Sequence, residues 1–278
     1  MSINLLFFGG KRFLGNKIVS KLINTKKYNI DIVYRNKRPI IKNKNKVNFI
    51  KCERDKLQEI KKKLNKKKYE IIFDNNCYSF KNFKNILDGI KYKSFIYIFT
   101  SSVMTYTHDE KSKAIFNKNQ INKLPDKTKE YIRQKSKIEK YLKKSKIKFI
   151  IFRIHNLIGK NDHSSKTDFL FSISEKDLKK FKIKKSDKIQ FALVNDVVKI
   201  IYRNIQQTNY KKFNNKLVSI ANEPVALRKI IFLNKNFKNR SQKIFKFNKF
   251  PIPLNFIIKK NERKSQFHSS LEQIIKKI

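Results

Sequence analysis

Ile3-Asn4-Leu5-Leu6-Phe7-Phe8-Gly9-Gly10-Lys11-Arg12-Phe13-Leu14-Gly15 decides the fold. Ile3–Phe8 is a short apolar run of the kind that forms a buried strand. Beyond it Phe13, Leu14, Ile18, Leu22 and Ile23 share one side of a helix predicted over 13–25. Between strand and helix stand three of the chain's five glycines, Gly9, Gly10 and Gly15. In a chain that uses Gly so sparingly the cluster needs a backbone reason. A tight turn with positive φ, bare backbone that a pyrophosphate can approach at a helix N-terminus, and close packing of helix on strand together supply one.

Outward from this turn, apolar runs alternate with amphipathic stretches, the pattern of a parallel sheet covered by helices. Strands are predicted at 29–34, Val47–Lys51, 69–74, 94–100 and Lys148–Ile154, with helices at 55–65, 80–90 and about 126–144. Residues 107–124 are polar and read as a surface loop. After Gly159 the rhythm changes to polar segments with short apolar pieces, among them 189–194, a helix near 196–205 and Lys216–Ile220. A tail from Lys243 carries Pro251 and Pro253 and ends in a short predicted helix at 271–278. These changes predict a nucleotide-binding domain at 1–160 and a small substrate lobe at 161–278.

Composition bounds the partners. With 278 residues, 40% of them hydrophobic and 24 of them Phe, the chain can bury a substantial core and does not read as disordered. A net charge of +47 points to polyanions, because basic surfaces bind phosphate by releasing counterions. Yet 58 of the 68 cations are Lys, and Ile, Asn and Phe are abundant while Trp is absent. Those are the residues of A/T-rich codons, so the charge reads as a solvated, self-repelling surface rather than a specific nucleic-acid site. No apolar window is long enough for a membrane span, and the N-terminus does not read as a secretory signal. Cys52 and Cys77 are too few for a disulfide framework, and His108, His155, His163 and His268 lack metal-ligand spacing. The expectation is a cytoplasmic protein with no metal site.

The glycine turn resembles the opening motif of the short-chain dehydrogenase/reductase superfamily, in the form G-G-x-R-F-[IL]-G found in an atypical branch. Arg12 stands where the commoner form has a middle Gly, which adds a cation beside the turn. The resemblance runs in order along almost the whole chain. Asp74-Asn75-Asn76 ends the fourth strand; Tyr97-Ile98-Phe99-Thr100-Ser101-Ser102 is similar to the family's fifth strand with its Ser pair. Tyr131-Ile132-Arg133-Gln134-Lys135 matches Y-x-x-x-K, with Glu139 following. Phe152-Arg153-Ile154-His155-Asn156-Leu157-Ile158-Gly159 and Phe191–Val198 resemble two later segments. The resemblance, to the extended or atypical epimerase/dehydratase-like members, implies an α/β fold of Rossmann type, a doubly wound parallel sheet with a small C-terminal substrate lobe.

It also implies a chemistry. One Y-x-x-x-K match means little in a chain so rich in Lys, but this one lies on the long predicted helix between Ser102 and strand six. Its i,i+4 spacing puts Tyr131 and Lys135 on one helix face. By resemblance Tyr131 is the general acid/base, Lys135 binds the nicotinamide ribose and lowers the Tyr pKa, and Ser102 holds the reacting oxygen. Ser102 is preferred to Ser101 because it ends the strand, where open α/β sheets bind ligands. Asn156 is assigned to substrate, and Asp196 reads as a helix cap. The dinucleotide contacts fall on Gly9, Gly10, Arg12, Phe13, Leu14, Gly15, Arg35, Asn75 and Lys135. The implied reaction is hydride transfer at a secondary alcohol or ketone, as in a reductase, an epimerase or a dehydratase. The expected partners are a small molecule, with nucleotide sugars common in the branch, and a second copy in a homodimer. The same turn occurs in chloroplast stem-loop-binding proteins, so a non-catalytic or RNA-binding member is the alternative.

NADP is the expected cofactor, with NAD as the alternative. Enzymes that select NAD place Asp or Glu at the end of the second strand, where a carboxylate binds the ribose hydroxyls and repels a 2′-phosphate. Here that strand ends at Arg35, with Arg38 close behind, and Asp31 lies at its start. A guanidinium grips phosphate with paired donors.

Overall fold

The computed structural model describes residues 2–41, 47–92, 95–108, 124–207 and 213–236. Most of the loop at 107–124, and the tail with Pro251, Pro253 and the helix at 271–278, lie outside these residues. In chain order the strands are β1 (Ile3–Phe8), β2 (Tyr28–Tyr34), β3 (Val47–Lys51), β4 (Ile71–Asp74), β5 (Ile96–Ser102), β6 (Lys148–Ile154), β7 (Leu157–Ile158), β8 (Lys188–Ile189), β9 (Ala192–Leu193), β10 (Lys216–Ile220) and β11 (Val225–Ala226). The helices are α1 (Phe13–Ile23), α2 (Leu57–Lys63), α3 (Phe80–Gly89), α4 (Asp126–Lys144), α5 (Lys166–Leu170), α6 (Glu175–Lys180), α7 (Val194–Gln206) and α8 (Leu227–Asn236). A 3-10 turn at Val103–His108 follows β5.

Seven strands form one sheet in the order β10-β6-β5-β4-β1-β2-β3. From β1 the chain winds outward through β2 and β3, then returns to lay β4, β5 and β6 on the other side. The strands from β3 to β5 pair in parallel. Adjacent strands diverge between β1 and β4, which makes that junction the topological switch point and its carboxyl end the ligand crevice of such sheets. Register fixes what meets there: Phe8 lies opposite Val33 on one side and Asp74 on the other, and Asp74 lies opposite Phe99. The residues that follow, Gly9, Asn75 and Thr100, therefore emerge side by side.

The strands are near-continuous apolar runs because both faces of the sheet are covered. Leu6, Phe8, Ile72, Tyr97, Phe99 and Ile151 join one cluster with Ile60 of α2, Phe83 and Ile86 of α3, and Ile138 and Leu142 of α4. Alternate residues point the other way: Phe7 stacks on Phe73 with ring centroids 4.6 Å apart. Helix α1 buries Leu14, Ile18, Val19, Leu22 and Ile23.

Element ends differ from the sequence expectation where side chains cap them. Helix α1 stops at Ile23 rather than 25, because Thr25 turns back and donates its hydroxyl to Leu22 O at 2.7 Å. Helix α2 begins at Leu57 rather than 55, since the Glu59 carboxylate accepts from Glu53 N and holds 53–56 outside the helix. The short apolar piece at 189–194 falls across two short strands, β8 and β9. Between them Gln190 donates to Asn222 O, and Asn222 N donates to Phe191 O.

By contacts the chain forms two compact units. The first draws on residues 1–110, 124–153 and 198–218, and the second on 154–197 and residues from 219 onward. The chain thus passes between units at several points, where the sequence expectation sets one boundary near residue 160. The second unit has its own core of Ile158, Phe169, Leu170, Ile189, Phe191, Leu227 and Ile230. In it β8 pairs antiparallel with β11, and β7 pairs in parallel with β9. Helix α6 starts in a capping box between Ser174 and Asp177. Among the described residues no helix is long and apolar enough to cross a membrane.

Candidate active site

The glycine turn joins β1 to α1. Gly9 has φ +85°, in the left-handed region that favours glycine. Gly15 lies so close to Gly9 O that any Cβ there would collide with that carbonyl, which is how α1 approaches β1. Gly10 is buried against Ile32, Val19 and Phe7. Arg12 stands at the cap position of α1, exposed and with no capping bond of its side chain. Phe13 also takes a positive φ, +42°. Such a conformation in a non-glycine residue costs about 1–3 kcal/mol and persists only where its surroundings enforce it. The sequence assigned left-handed backbone to glycines alone; the turn uses Phe13 as well. Leu14 is buried in the first turn of the helix.

Three residues emerging beside the turn hold it in place. Asn75 Nδ2 donates to Gly9 O at 3.3 Å, and Asn75 Oδ1 accepts from the Thr100 hydroxyl at 3.2 Å. Asn76 lies against the Cα of Gly9, so a Cβ at Gly9 would stand 2.9 Å from its Cγ. Arg35 follows β2 directly and is exposed, and Arg38 sits over the Phe49 ring at 4.1 Å. Asp31 is buried and committed elsewhere, accepting from Tyr69 Oη at 2.6 Å and pairing with Lys67 at 2.9 Å. No carboxylate follows β2, as expected from the sequence. This backbone cradle with arginines on its rim fits a dinucleotide phosphate group.

Ser102, Tyr131 and Lys135 are brought together in the first unit. The Ser102 hydroxyl lies near enough to the Tyr131 phenol to act on its ionisation, favouring the phenolate. Ser102 Oγ accepts from Met104 N at 3.2 Å, so its own proton is free to be donated. Lys135 is 2% exposed, donates to Thr100 O at 2.6 Å, and lies within 5.6 Å of the ring centres of Phe99, Tyr78 and Tyr131. Burial pushes its ammonium down to about 8, against the opposing pull of the nearby Cys77 and Asp74. The Tyr131 phenol is pushed above its ordinary value, chiefly by burial and then by Tyr78, with the nearby Ser102 acting the other way. The resemblance gives Lys135 the task of lowering the Tyr pKa; in the structure burial dominates the phenol, and the ammonium donates to Thr100 O.

One turn further along α4, Glu139 organises a buried polar network. Its carboxylate accepts from Ser101 Oγ, from Thr105 Oγ1 at 3.0 Å and from Arg153 of β6, with Nη2 at 2.6 Å. Glu139 and Arg153 are both about 2% exposed, and Arg153 lies over the Tyr106 ring at 4.2 Å. Thr105 also donates to Ser102 O at 2.7 Å. Ser101 is thus bound to this network while Ser102 faces Tyr131, which separates the roles of the pair.

Asn156 belongs to the second unit. Its backbone N donates to His155 Nδ1 at 2.8 Å, and its carbonyl accepts from Ala192 N at 2.9 Å, tying β7 to β9. Sequence reasoning missed Gln134, between Tyr131 and Lys135 on α4. Its side-chain oxygen accepts from Phe80 N at 2.6 Å, at the start of α3 beside Tyr78. It also missed Arg54, whose signal was its rarity as one of ten arginines.

A glycine turn at the switch point and a Ser, Tyr and Lys set beside it define an NAD(P)-binding α/β enzyme fold. Comparison with known proteins agrees. The model of the NAD dependent epimerase/dehydratase family matches residues 5–217. The chain belongs to that family, an extended branch of the short-chain dehydrogenases. Among curated proteins none matches. Of solved structures, UDP-glucose 4-epimerase from Thermus thermophilus, in complex with NAD, is 14% identical with a TM-score of 0.65, covering 99% of this chain and 98% of its own. Vestitone reductase from alfalfa is 13% identical with a TM-score of 0.65, covering 99% and 96%. A short-chain dehydrogenase/reductase from Veillonella parvula, in complex with NADP, is 14% identical with a TM-score of 0.55, covering 80% and 95%. At these identities the likeness is one of fold.

Proposed function

We propose that this protein transfers hydride between a nicotinamide dinucleotide and a secondary alcohol or ketone, with Tyr131 as general acid/base. The observation that carries this reading is Lys135, buried one helical turn from Tyr131 with its ammonium 5.6 Å from that ring and bonded to Thr100 O at the end of the strand that carries Ser102. A phenol held above its ordinary pKa stays protonated at neutral pH and is suited to giving a proton to the oxygen of a ketone as it is reduced. Ser102, its Oγ already accepting from Met104 N, donates to that same oxygen and orients it. Lys135 supplies positive charge beside the phenolate left behind and reaches the ribose of the dinucleotide. The bound nicotinamide supplies or accepts the hydride.

Gly9, Gly10, Phe13, Leu14 and Gly15 form the pyrophosphate cradle, and Asn75 supports it. Arg12 and Arg35, both exposed at its rim, favour the 2′-phosphate of NADP over NAD. Asn156 contributes to substrate. A nucleotide sugar is the substrate class we place first: the Thermus neighbour, which the chain matches over nearly its full length, is an epimerase of UDP-glucose.

Tyr131→Phe tests this reading. The variant should bind the dinucleotide and melt like wild type, yet turn over a nucleotide-sugar or ketone substrate about 10²–10⁴-fold more slowly. Wild-type turnover in that variant refutes the role of Tyr131.

A further inference from the structure

Arg54 lies in the loop after β3, among a predominantly Lys set of cations, and its side chain is only 16% exposed. Its guanidinium rests over the Phe8 ring at 4.8 Å, directly beneath the glycine turn. Nη1 donates to both oxygens of Asp74 at 3.2 and 3.3 Å, while Nη2 donates to Asp74 Oδ1 at 3.2 Å and to Asn76 Oδ1 at 2.9 Å. Asp74 is fully buried at the end of β4 and also accepts from Tyr97 Oη at 2.7 Å. The Arg54 backbone is pinned too, its carbonyl accepting from Asn85 Nδ2 of α3 at 3.1 Å. Only a planar, always-charged fork can stack on Phe8 while bonding a carboxylate and an amide at once.

The consequence lies in what Asn76 touches. Its side chain rests on the Cα of Gly9, and its partner Asn75 bonds Gly9 O. Gly9 is thereby gripped from two sides, and Arg54 fixes the outer jaw. We infer that Arg54 is a positioning residue for dinucleotide binding, acting through Asn76 on Gly9 rather than by neutralising Asp74 alone. The inference rests on the dinucleotide reading given above. Holding the left-handed turn at Gly9 and Phe13 in place spares binding the entropy of ordering it.

The test is titration of NADPH and NADH against wild type and three variants, each with its thermal melt. Asn76 is exposed, so Asn76→Ala should melt near wild type, yet it should weaken both cofactors by about five- to tenfold. Arg54→Lys keeps a cation on Asp74 but loses the second arm, and should show the same split. Arg54→Met with Asp74→Asn removes the buried ion pair whole, and should melt near wild type while binding both cofactors more weakly. Wild-type affinity in Asn76→Ala and Arg54→Lys overturns the inference, as does wild-type affinity in the double variant. If wild type binds neither cofactor, the dinucleotide reading falls and takes this inference with it; binding by wild type with unchanged variants removes this inference alone.

Discussion

Lys135→Met should stabilise the protein while abolishing its activity. Burial lowers the Lys135 ammonium from 10.5 to about 8, a cost the folded state carries whenever the side chain is charged in both folded and unfolded chains. At about 1.4 kcal/mol per pH unit, that is about 3 kcal/mol at pH 7. Removing the ammonium leaves Thr100 O without its 2.6 Å donor, which returns about 1 kcal/mol. A Met side chain fits the wall made by Phe99, Tyr78 and Tyr131. The net gain is about 2 kcal/mol, or about 4 °C in melting temperature for a chain of this size. The pH dependence has a definite sign. Below about pH 8 Lys135 is charged in both states and the full cost is present. Between about pH 8 and 10.5 it is neutral when folded and still charged when unfolded, so wild-type stability climbs toward that of the variant and the gap closes. Calorimetric melts of both proteins from pH 6 to pH 10.5, limited to conditions where unfolding is reversible, would measure it. A variant that melts lower than wild type at pH 7, with a gap independent of pH, refutes the argument.

The other predictions follow from the same contacts. Glu139→Ala removes the carboxylate paired with the buried Arg153 guanidinium, and should lower stability by about 3–5 kcal/mol in chemical denaturation; a loss under 1 kcal/mol would contradict the geometry. Gly15→Ala drives a methyl into Gly9 O and should abolish dinucleotide binding in a titration, whereas Ala at a tolerant glycine would not. Arg35→Asp should shrink or reverse the preference for NADPH over NADH, and equal affinities in wild type would refute the assignment of NADP.

Much of the first unit was legible in the sequence because its strands are buried on both faces and read as unbroken apolar runs. Glycine scarcity made the turn legible, since Gly9 and Gly15 are dictated by backbone geometry rather than by partners. Ser102, Tyr131 and Lys135 were legible as residue types at a spacing set by one strand end and one helix face. Arg54, Asn76, Thr100 and Gln134 were not, because each acts through contacts across 20 to 66 residues of sequence that no local pattern records. The break between β8 and β9 was hidden for a similar reason: Asn222 supplies it from beyond α7. The raised Tyr131 pKa depends on burial, a property of the folded surroundings.

Arg54, Asp74, Lys135, Glu139 and Arg153 form a row of alternating sign along the carboxyl ends of the central strands, each at most about one-sixth exposed. The row begins and ends in cations, so its members are unequal by parity. Deleting a terminal arginine leaves equal numbers of positive and negative charges. Neutralising either carboxylate instead leaves two positive charges in excess, with like charges as nearest neighbours in a poorly hydrated interior. In a protein whose surface is overwhelmingly cationic, the two residues least able to change sign or lose it are therefore buried acids, Asp74 and Glu139.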